Sequence, residues 1–194
     1  MKFKNQISPM LELQMLADSD RHNIMIEGSI GSGKSYLAKQ YANMLGISNF
    51  QSVDAKVSLV KEIMDMCIGI DSPIVVSIEN LDIGVDAVSY ALLKFIEEPT
   101  SNVYIVITCR NIKFVPDTIV SRSAVVTVPP MIESDILDYA YEVYSSKVDT
   151  VKNAIVWKCV NSISDVDSIM QMDSAKLNYF DGVVGILNSN EPVS

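Results

Sequence analysis

The stretch GSIGSGKS, Gly28–Ser35, has the spacing G-x-x-x-x-G-K-[ST] of a phosphate-binding loop. Backbone N–H groups wrap a polyphosphate in such a loop, and a side chain at a glycine position would block that approach or forbid the positive φ angles it needs. Lys34 can place a cation at the β- and γ-phosphates, and Ser35 can place a hydroxyl on Mg²⁺. The stretch therefore predicts a site for ATP and Mg²⁺ made by Gly28, Ser29, Ile30, Gly31, Ser32, Gly33, Lys34 and Ser35.

The flanking sequence supports this interpretation. Residues 24–26 form a short apolar run before the loop, typical of a buried strand. After the loop, Leu37, Tyr41, Met44 and Leu45 recur on one face of a predicted helix. The phosphates would lie at the N-terminus of that helix, where the helix dipole favours anions. A glycine-rich turn that matches the motif by chance is therefore disfavoured.

Strand and helix patterns alternate through the first two thirds of the chain. Strands are predicted at 24–26, 50–53, 74–78, 103–107 and 124–128, and helices at 1–20, after the phosphate loop, from Asp54, from Asp86 and at 116–121. Asp54 and Ser134 are predicted to cap the helices that follow them. The alternation favours an α/β fold with a parallel sheet.

The pair Pro129–Pro130 is the best candidate for a domain boundary. Beyond it the pattern is wholly helical, with segments near 134–144, 151–157, 163–172 and 175–187. We therefore predict a P-loop parallel sheet flanked by helices over residues 1–129, a small all-helical lid domain over 130–190 and a disordered tail at 191–194.

Composition limits the function classes. The net charge is −9, which disfavours independent binding to nucleic acid, because that binding needs clustered Lys and Arg. Cys67, Cys109 and Cys159 lie in apolar surroundings without C-x-x-C spacing, so they predict buried thiols in a reducing compartment. No long apolar run and no signal-peptide core are present. We therefore expect a cytoplasmic protein without a membrane span.

Three further segments carry a family resemblance. ALLKFIEEP (Ala91–Pro99) resembles the ALLK-x-hydrophobic-EEP segment of sliding-clamp loader subunits, and VPDTIVSRS (Val115–Ser123) resembles their P-x-T-hydrophobic-x-SRC segment. NSISDVDSIM (Asn161–Met170) is similar to a degraded form of their G-S-x-R-D-A segment. With the phosphate loop, these segments follow the order and spacing of the AAA+ clamp-loader family, bacterial gamma and delta-prime subunits included, over residues 20–175.

The resemblance implies an AAA+ domain with a helical lid that works in a hetero-oligomeric ring. The implied partners are other clamp-loader subunits and the sliding clamp, with DNA contacted indirectly or only within the complex. Arg122 matches the SRC-type arginine, which reaches into the ATP site of a neighbouring subunit as an arginine finger. Arg122 is one of three arginines, with Arg21 and Arg110, and a guanidinium can stabilise charge on a transferring phosphoryl group.

Several positions depart from the family pattern. Alignment without gaps places Glu79 at the metal-orienting Asp and Asn80 at the water-polarising Glu, and Asn80 cannot take a proton. A shift of one residue would instead leave Ile78 at the metal position, which is worse chemistry. Thr108 matches a sensor-1 polar residue, and Ser164 replaces the sensor-2 arginine. The zinc module and the collar domain of many relatives are absent, which fits a reduced or phage-encoded member.

The resulting hypothesis is an ATP-binding clamp-loader subunit with weak or absent hydrolysis of its own and an arginine finger for a neighbour. Three alternatives remain open: an AAA+ ATPase of another replication or repair assembly, such as a helicase loader, a small P-loop kinase, and a non-catalytic interaction protein with a vestigial loop. The last is disfavoured because Gly33, Lys34 and Ser35 are all retained. A kinase predicts arginines in the lid, and the lid region has none.

Overall fold

The computed structural model describes residues 4–83, 85–97, 100–145, 148, 160–173 and 176. They fall into two compact units, one over Lys4–Pro130 and one from Met131 onward. Five strands and seven α-helices lie within the described residues: β1 (Asn23–Gly28), β2 (Phe50–Asp54), β3 (Ile74–Glu79), β4 (Val103–Cys109), β5 (Ala124–Val128), α1 (Ile7–Asp18), α2 (Lys34–Met44), α3 (Val57–Cys67), α4 (Val85–Glu97), α5 (Asp117–Val120), α6 (Glu133–Tyr144) and α7 (Ile163–Met170).

The first unit is a parallel sheet in the order β2-β3-β4-β1-β5. Strand β1 lies between β4 and β5, with Ile24 opposite Val106 on one side and Ala124 on the other. Because all strands run in the same direction, their carboxyl ends share one edge of the sheet, and the phosphate loop follows β1 there. The predicted parallel α/β sheet is confirmed.

The central strands β1, β3 and β4 are buried on both faces of the sheet, as their near-continuous apolar sequences require. On one face, side chains of β3 and β4 such as Ile78 and Ile107 pack with α3 and α4. On the other face, Ile26 and Val106 pack with Leu37 and Tyr41 of α2. Cys67 and Cys109 are buried free thiols. The phosphate loop is therefore held between two packed elements, β1 and α2.

Two predicted helix caps are wrong. Asp54 is the last residue of β2, paired with Glu79 of β3, and α3 begins only at Val57. The ladder with β3 extends the strand across the position that a cap would occupy. Ser134 lies inside α6, which begins at Glu133 after Ile132.

The second unit contains α6 and α7, which pack through Ile136, Ala140, Val166 and Ile169. Helix α7 begins at a Ser162 cap whose hydroxyl oxygen accepts a hydrogen bond from the N–H of Asp165 at 3.2 Å. The predicted helices at 151–157 and 175–187 and the predicted tail at 191–194 lie outside the described residues. No described helix is both long and apolar enough to cross a membrane.

Candidate nucleotide-binding site

The phosphate loop joins the end of β1 to the start of α2. Gly31 and Gly33 adopt φ angles of 75° and 93°, in the left-handed region that favours glycine. A Cβ on Gly28 would lie 2.7 Å from the Ser32 hydroxyl and 2.9 Å from the carbonyl oxygen of Val128. A side chain at any of these positions would therefore distort the loop, which leaves a cradle lined by backbone.

Lys34 is the first residue of α2, and its side chain folds back over the loop. Its Nζ donates hydrogen bonds to the carbonyl oxygens of Gly28 and Ser29, both at 2.8 Å. Burial lowers the pKa of Lys34 because it disfavours the charged form, while the carboxylate of Glu79 opposes that shift. Within the described residues, the buried Lys34 amine donates hydrogen bonds to carbonyl oxygens, and an ammonium with three donors can also bind a phosphate.

Glu79, the last residue of β3, connects the phosphate loop to the sheet through hydrogen bonds. Its Oε2 accepts hydrogen bonds from the hydroxyls of Ser35 (2.9 Å) and Thr108 (2.8 Å). Its Oε1 accepts from Ser77 (2.7 Å) and Ser52 (3.3 Å). A carboxylate has about four lone-pair sites, so these hydroxyls fix the Glu79 side chain in one orientation. The predicted metal pair, Ser35 and Glu79, is in direct contact.

Thr108 and Asn80 meet beside Glu79. The Thr108 side chain is fully buried, and its hydroxyl accepts a hydrogen bond of 3.0 Å from the Asn80 N–H while donating to Glu79. Asn80 has a φ of 58°, a left-handed conformation that Asn tolerates better than most residues. The Thr108 hydroxyl therefore positions both Glu79, the last residue of β3, and Asn80, which follows it.

Two residues that sequence reasoning missed brace the loop from the N-terminal 3₁₀ turn. Asn5 Nδ2 donates to the carbonyl oxygens of Ser32 (3.3 Å) and Pro129 (3.0 Å), and Gln6 Nε2 donates to Ser32 (3.5 Å). Both side chains are buried. No local pattern marks them, because their partners are distant in sequence.

Three further groups close to Lys34 were also missed. Attraction from Asp82 raises the pKa of Lys34, and repulsion from Arg110 lowers it. One carboxylate oxygen of Asp82 is buried and accepts no hydrogen bond from the described residues. Burial, followed by the charges of Asp82 and Glu27, raises the pKa of the Cys109 thiol to about 12. Asp82 and Arg110 follow β3 and β4, and Cys109 is the last residue of β4, so their only sequence signal was a position near the ends of these strands.

Arg122 lies elsewhere, between α5 and the start of β5. Its Nη1 donates to the carbonyl oxygen of Thr118 at 2.9 Å, and its Nη2 lies 3.1 Å from Oε1 of Glu97. About two fifths of its side chain remains exposed. Arg122 borders a cavity of about 650 Å³ at the N-terminal edge of the sheet. The cavity is lined by Ser19, Asp20, Arg21, His22, Asn23, Ile96, Glu97 and Arg122.

The predicted site residues thus form two groups. The phosphate loop, Glu79, Asn80 and Thr108 converge at the carboxyl edge of the sheet, and Arg122 lies at the opposite edge. Ser164 is exposed on α7, in the second unit.

The loop region fits ATP and Mg²⁺ chemically. The glycine cradle leaves room for backbone N–H groups to approach phosphates, and Lys34 offers a cation. No group of three or more metal-ligating His, Cys, Asp or Glu side chains occurs among the described residues. Mg²⁺ often binds through one or two protein oxygens together with substrate phosphates, and Ser35 and Glu79 would supply those oxygens.

Comparison with solved structures identifies the fold class. A point mutant of RuvB from Thermotoga maritima superposes with a TM-score of 0.61 at 12% sequence identity, covering 100% of this chain and 80% of that chain. The structure titled RuvB Holliday junction branch migration motor, from the same organism, gives 0.57 at 13% identity, covering 98% and 78%. At such identities the likeness shows the fold alone, and that fold is the AAA+ P-loop fold.

Sequence comparison narrows the class. Residues 58–132, from α3 to just beyond β5, match the family described as DNA polymerase III, delta subunit. The resemblance to the AAA+ clamp-loader family is therefore confirmed over this segment, which includes Glu79, Thr108 and Arg122. No curated protein matches the chain significantly.

Proposed function

We propose that this chain is an ATP-binding AAA+ subunit of a DNA sliding-clamp loader, which hydrolyses ATP slowly or not at all and supplies Arg122 to a neighbouring subunit. The single observation that carries the proposal is that Lys34 and Arg122 lie at opposite edges of one sheet. A self-contained ATPase needs its cations around one nucleotide, whereas a ring subunit binds one nucleotide and reaches a second.

ATP binding is supported by the contacts of the loop. Ser35 and Glu79 form a hydrogen bond of 2.9 Å, so the two proposed Mg²⁺ partners are adjacent. Lys34 is held over the loop by carbonyl oxygens. If phosphate oxygens replaced these carbonyl oxygens, the ammonium would have negatively charged partners. Hydrogen bonds between charged groups are stronger than hydrogen bonds to neutral carbonyls.

Weak hydrolysis is supported at Asn80. This residue follows Glu79 directly, where a water-polarising carboxylate is needed, and an amide cannot accept a proton. General acid–base help is typically worth about 10²- to 10⁴-fold in rate. The left-handed backbone at Asn80 (φ 58°) also favours Asn over Glu, so the residue suits the turn better than it suits catalysis.

Arg122 is proposed to act in trans because its own loop is far away. Ile24 pairs with Ala124 and Gly28 with Val128 in the parallel β1–β5 ladder. Arg122 precedes β5, so it is about six residues from the level of Gly28, or about 20 Å at 3.3 Å per residue. Glu97 and Thr118 hold the partly exposed guanidinium at the surface of the chain. An arginine finger typically raises the rate of phosphoryl transfer by about 10³- to 10⁵-fold.

The proposed partners follow from the family match and the charge. Other clamp-loader subunits would form the ring and the sliding clamp would be its client, in the cytoplasm. The chain has a net charge of −9, so DNA would be contacted indirectly or only within the complex.

An AAA+ protein of another replication or repair assembly is the second candidate. It is favoured by the RuvB fold likeness, since one of those structures is titled a branch migration motor. A motor depends on turnover, so Asn80 argues against this role. No observation on the described residues favours a kinase.

The test is reconstitution with clamp-loader subunits from the same genome, identified first by co-purification and mass spectrometry. In the assembled complex, Arg122→Ala should lower the ATPase rate of a partner subunit while this chain keeps its own ATP affinity. Arg122→Lys keeps the charge without the planar fork and should rescue little. Arg21→Ala removes a charge from the same cavity and should have a smaller effect. An Arg122→Ala effect confined to this chain's own ATP binding would contradict the proposal.

A further inference from the structure

Arg110 is an exposed cation beside the phosphate loop. Strand β4 ends at Cys109, which pairs with Glu27 of β1. Arg110 is the first residue after Cys109 and Gly28 is the first after Glu27, so the backbone of Arg110 leaves β4 at the level of the first glycine of the loop. No sequence motif singled it out.

Arg110 follows β4 at the edge of the sheet where the phosphate loop begins. Thr108, two residues before it, contacts Glu79, which in turn contacts Ser35. The chain bends at Arg110, directly after the end of β4. Two residues further on, the N–H of Ile112 donates a 2.9 Å hydrogen bond to Oε1 of Glu27, the residue before Gly28. The segment that carries Arg110 is therefore held next to the start of the phosphate loop.

Thr108 and Arg110, two residues apart, differ in their contacts. The Thr108 hydroxyl is buried and committed to Glu79 and Asn80. Arg110 is exposed, and its guanidinium forms no hydrogen bond or ion pair with the part of the chain that the structure describes. An arginine carries five donors that match phosphate oxygens in a planar fork.

The electrostatics of the loop agree with this placement. Arg110 lies close enough to Lys34 to lower the pKa of that amine. The carboxylates of Glu79 and Asp82 attract Lys34, whereas Arg110 repels it. The convergence of Arg110 and Lys34 becomes favourable when a polyphosphate lies between them.

We infer that Arg110 binds the terminal phosphate of the ATP held by the phosphate loop of the same chain. The inference rests on the proposed ATP binding and adds a γ-phosphate contact in cis. Such a contact would let the chain distinguish ATP from ADP, although Ser164 stands where the clamp-loader resemblance places an arginine sensor. Arg122 then serves a neighbouring nucleotide and Arg110 serves the chain's own.

The test is calorimetry of ATP and ADP, each with Mg²⁺, on the full chain and on Arg110→Ala, Arg110→Lys, Arg21→Ala and Lys34→Ala. Arg110→Ala should weaken ATP binding by about tenfold or more, because hydrogen bonds to charged groups are lost, and should leave ADP binding nearly unchanged. Arg110→Lys should fall between. Arg21→Ala, the same charge change at the opposite edge of the sheet, should change neither affinity. Since Arg110 is exposed, the variants should keep the wild-type melting temperature.

Each result has one reading. Equal losses of ATP and ADP affinity in Arg110→Ala would overturn the γ-phosphate contact, and so would unchanged ATP affinity. If Lys34→Ala abolishes binding while Arg110→Ala does not alter it, the inference fails and the proposed ATP site stands. If the wild-type chain binds no nucleotide, or binds it independently of Lys34, both fail.

Discussion

The hydroxyl of Ser35 donates a 2.9 Å hydrogen bond to Oε2 of Glu79. Ser35 lies in the first turn of helix α2 and Glu79 ends strand β3, so this contact joins the phosphate loop to the sheet. Thr108 donates to the same oxygen from β4. The ends of β3 and β4 and the start of α2 are thus fixed around one carboxylate, which we propose as a partner of Mg²⁺.

We expect Glu79→Gln to abolish the Mg²⁺ dependence of ATP binding. An amide carries no charge, and its Nε2 cannot accept hydrogen bonds from the hydroxyls that the carboxylate satisfies. An unsatisfied buried partner costs about 1–3 kcal/mol, so the melting temperature should also fall. Calorimetry with and without Mg²⁺ measures the first effect. Glu97→Gln, the same change near Arg122, is the control and should preserve Mg²⁺-dependent binding. An equal Mg²⁺ enhancement in Glu79→Gln would remove Glu79 from the metal site.

We expect Gly33→Ala to impair ATP binding and Gly46→Ala to leave it intact. Both glycines have positive φ angles, 93° and 71°, and a non-glycine residue in such a conformation costs about 1–2 kcal/mol. A Cβ at Gly33 would in addition collide with Nε2 of Gln6, whereas a Cβ at Gly46 has nothing within 4 Å. Thermal unfolding should show losses in both variants, and nucleotide titration should separate them. Equal ATP affinity in the two variants would show that Gln6 does not brace the loop.

A carboxylate at position 80 should raise the rate of ATP hydrolysis. Asn80→Asp is the better-tolerated change, because Asp, like Asn, accepts the left-handed backbone (φ 58°). Asn80→Glu reaches further toward a water molecule but strains that backbone by about 1–2 kcal/mol. A coupled phosphate-release assay measures the rate, and unfolding curves account for stability. Wild-type turnover near 1 s⁻¹, an ordinary enzyme rate, would contradict the assignment of Asn80.

The sequence predicted the centre of the sheet well because β1, β3 and β4 are buried on both faces. Strand β5 was predicted with its observed bounds, Ala124–Val128. Strand β4 was predicted over 103–107, two residues short of its observed end at Cys109. The helix caps at Asp54 and Ser134 failed for a different reason. A capping residue is a local signal, and at Asp54 a tertiary ladder with β3 prevailed over it.

The site was predictable only where a motif marks it. The phosphate loop and Glu79 could be placed by spacing, but Asn5 and Gln6 could not, since they reach Ser32 across more than 25 residues. In the sequence, Arg110 is distinguished only as one of three arginines. Its position beside Gly28 depends on the register between β1 and β4, which no linear pattern specifies.

The most direct measurement is calorimetry of ATP–Mg²⁺ with the wild-type chain, Lys34→Ala and Lys39→Ala. Lys39 is an exposed lysine on the same helix, so its variant removes an equal charge without touching the loop. The account predicts that Lys34→Ala loses at least tenfold in affinity, equivalent to about 1.4 kcal/mol, while Lys39→Ala binds as the wild-type chain does. ATP affinity in Lys34→Ala equal to that of the wild-type chain would contradict the assignment of Gly28–Ser35 as a nucleotide-binding loop.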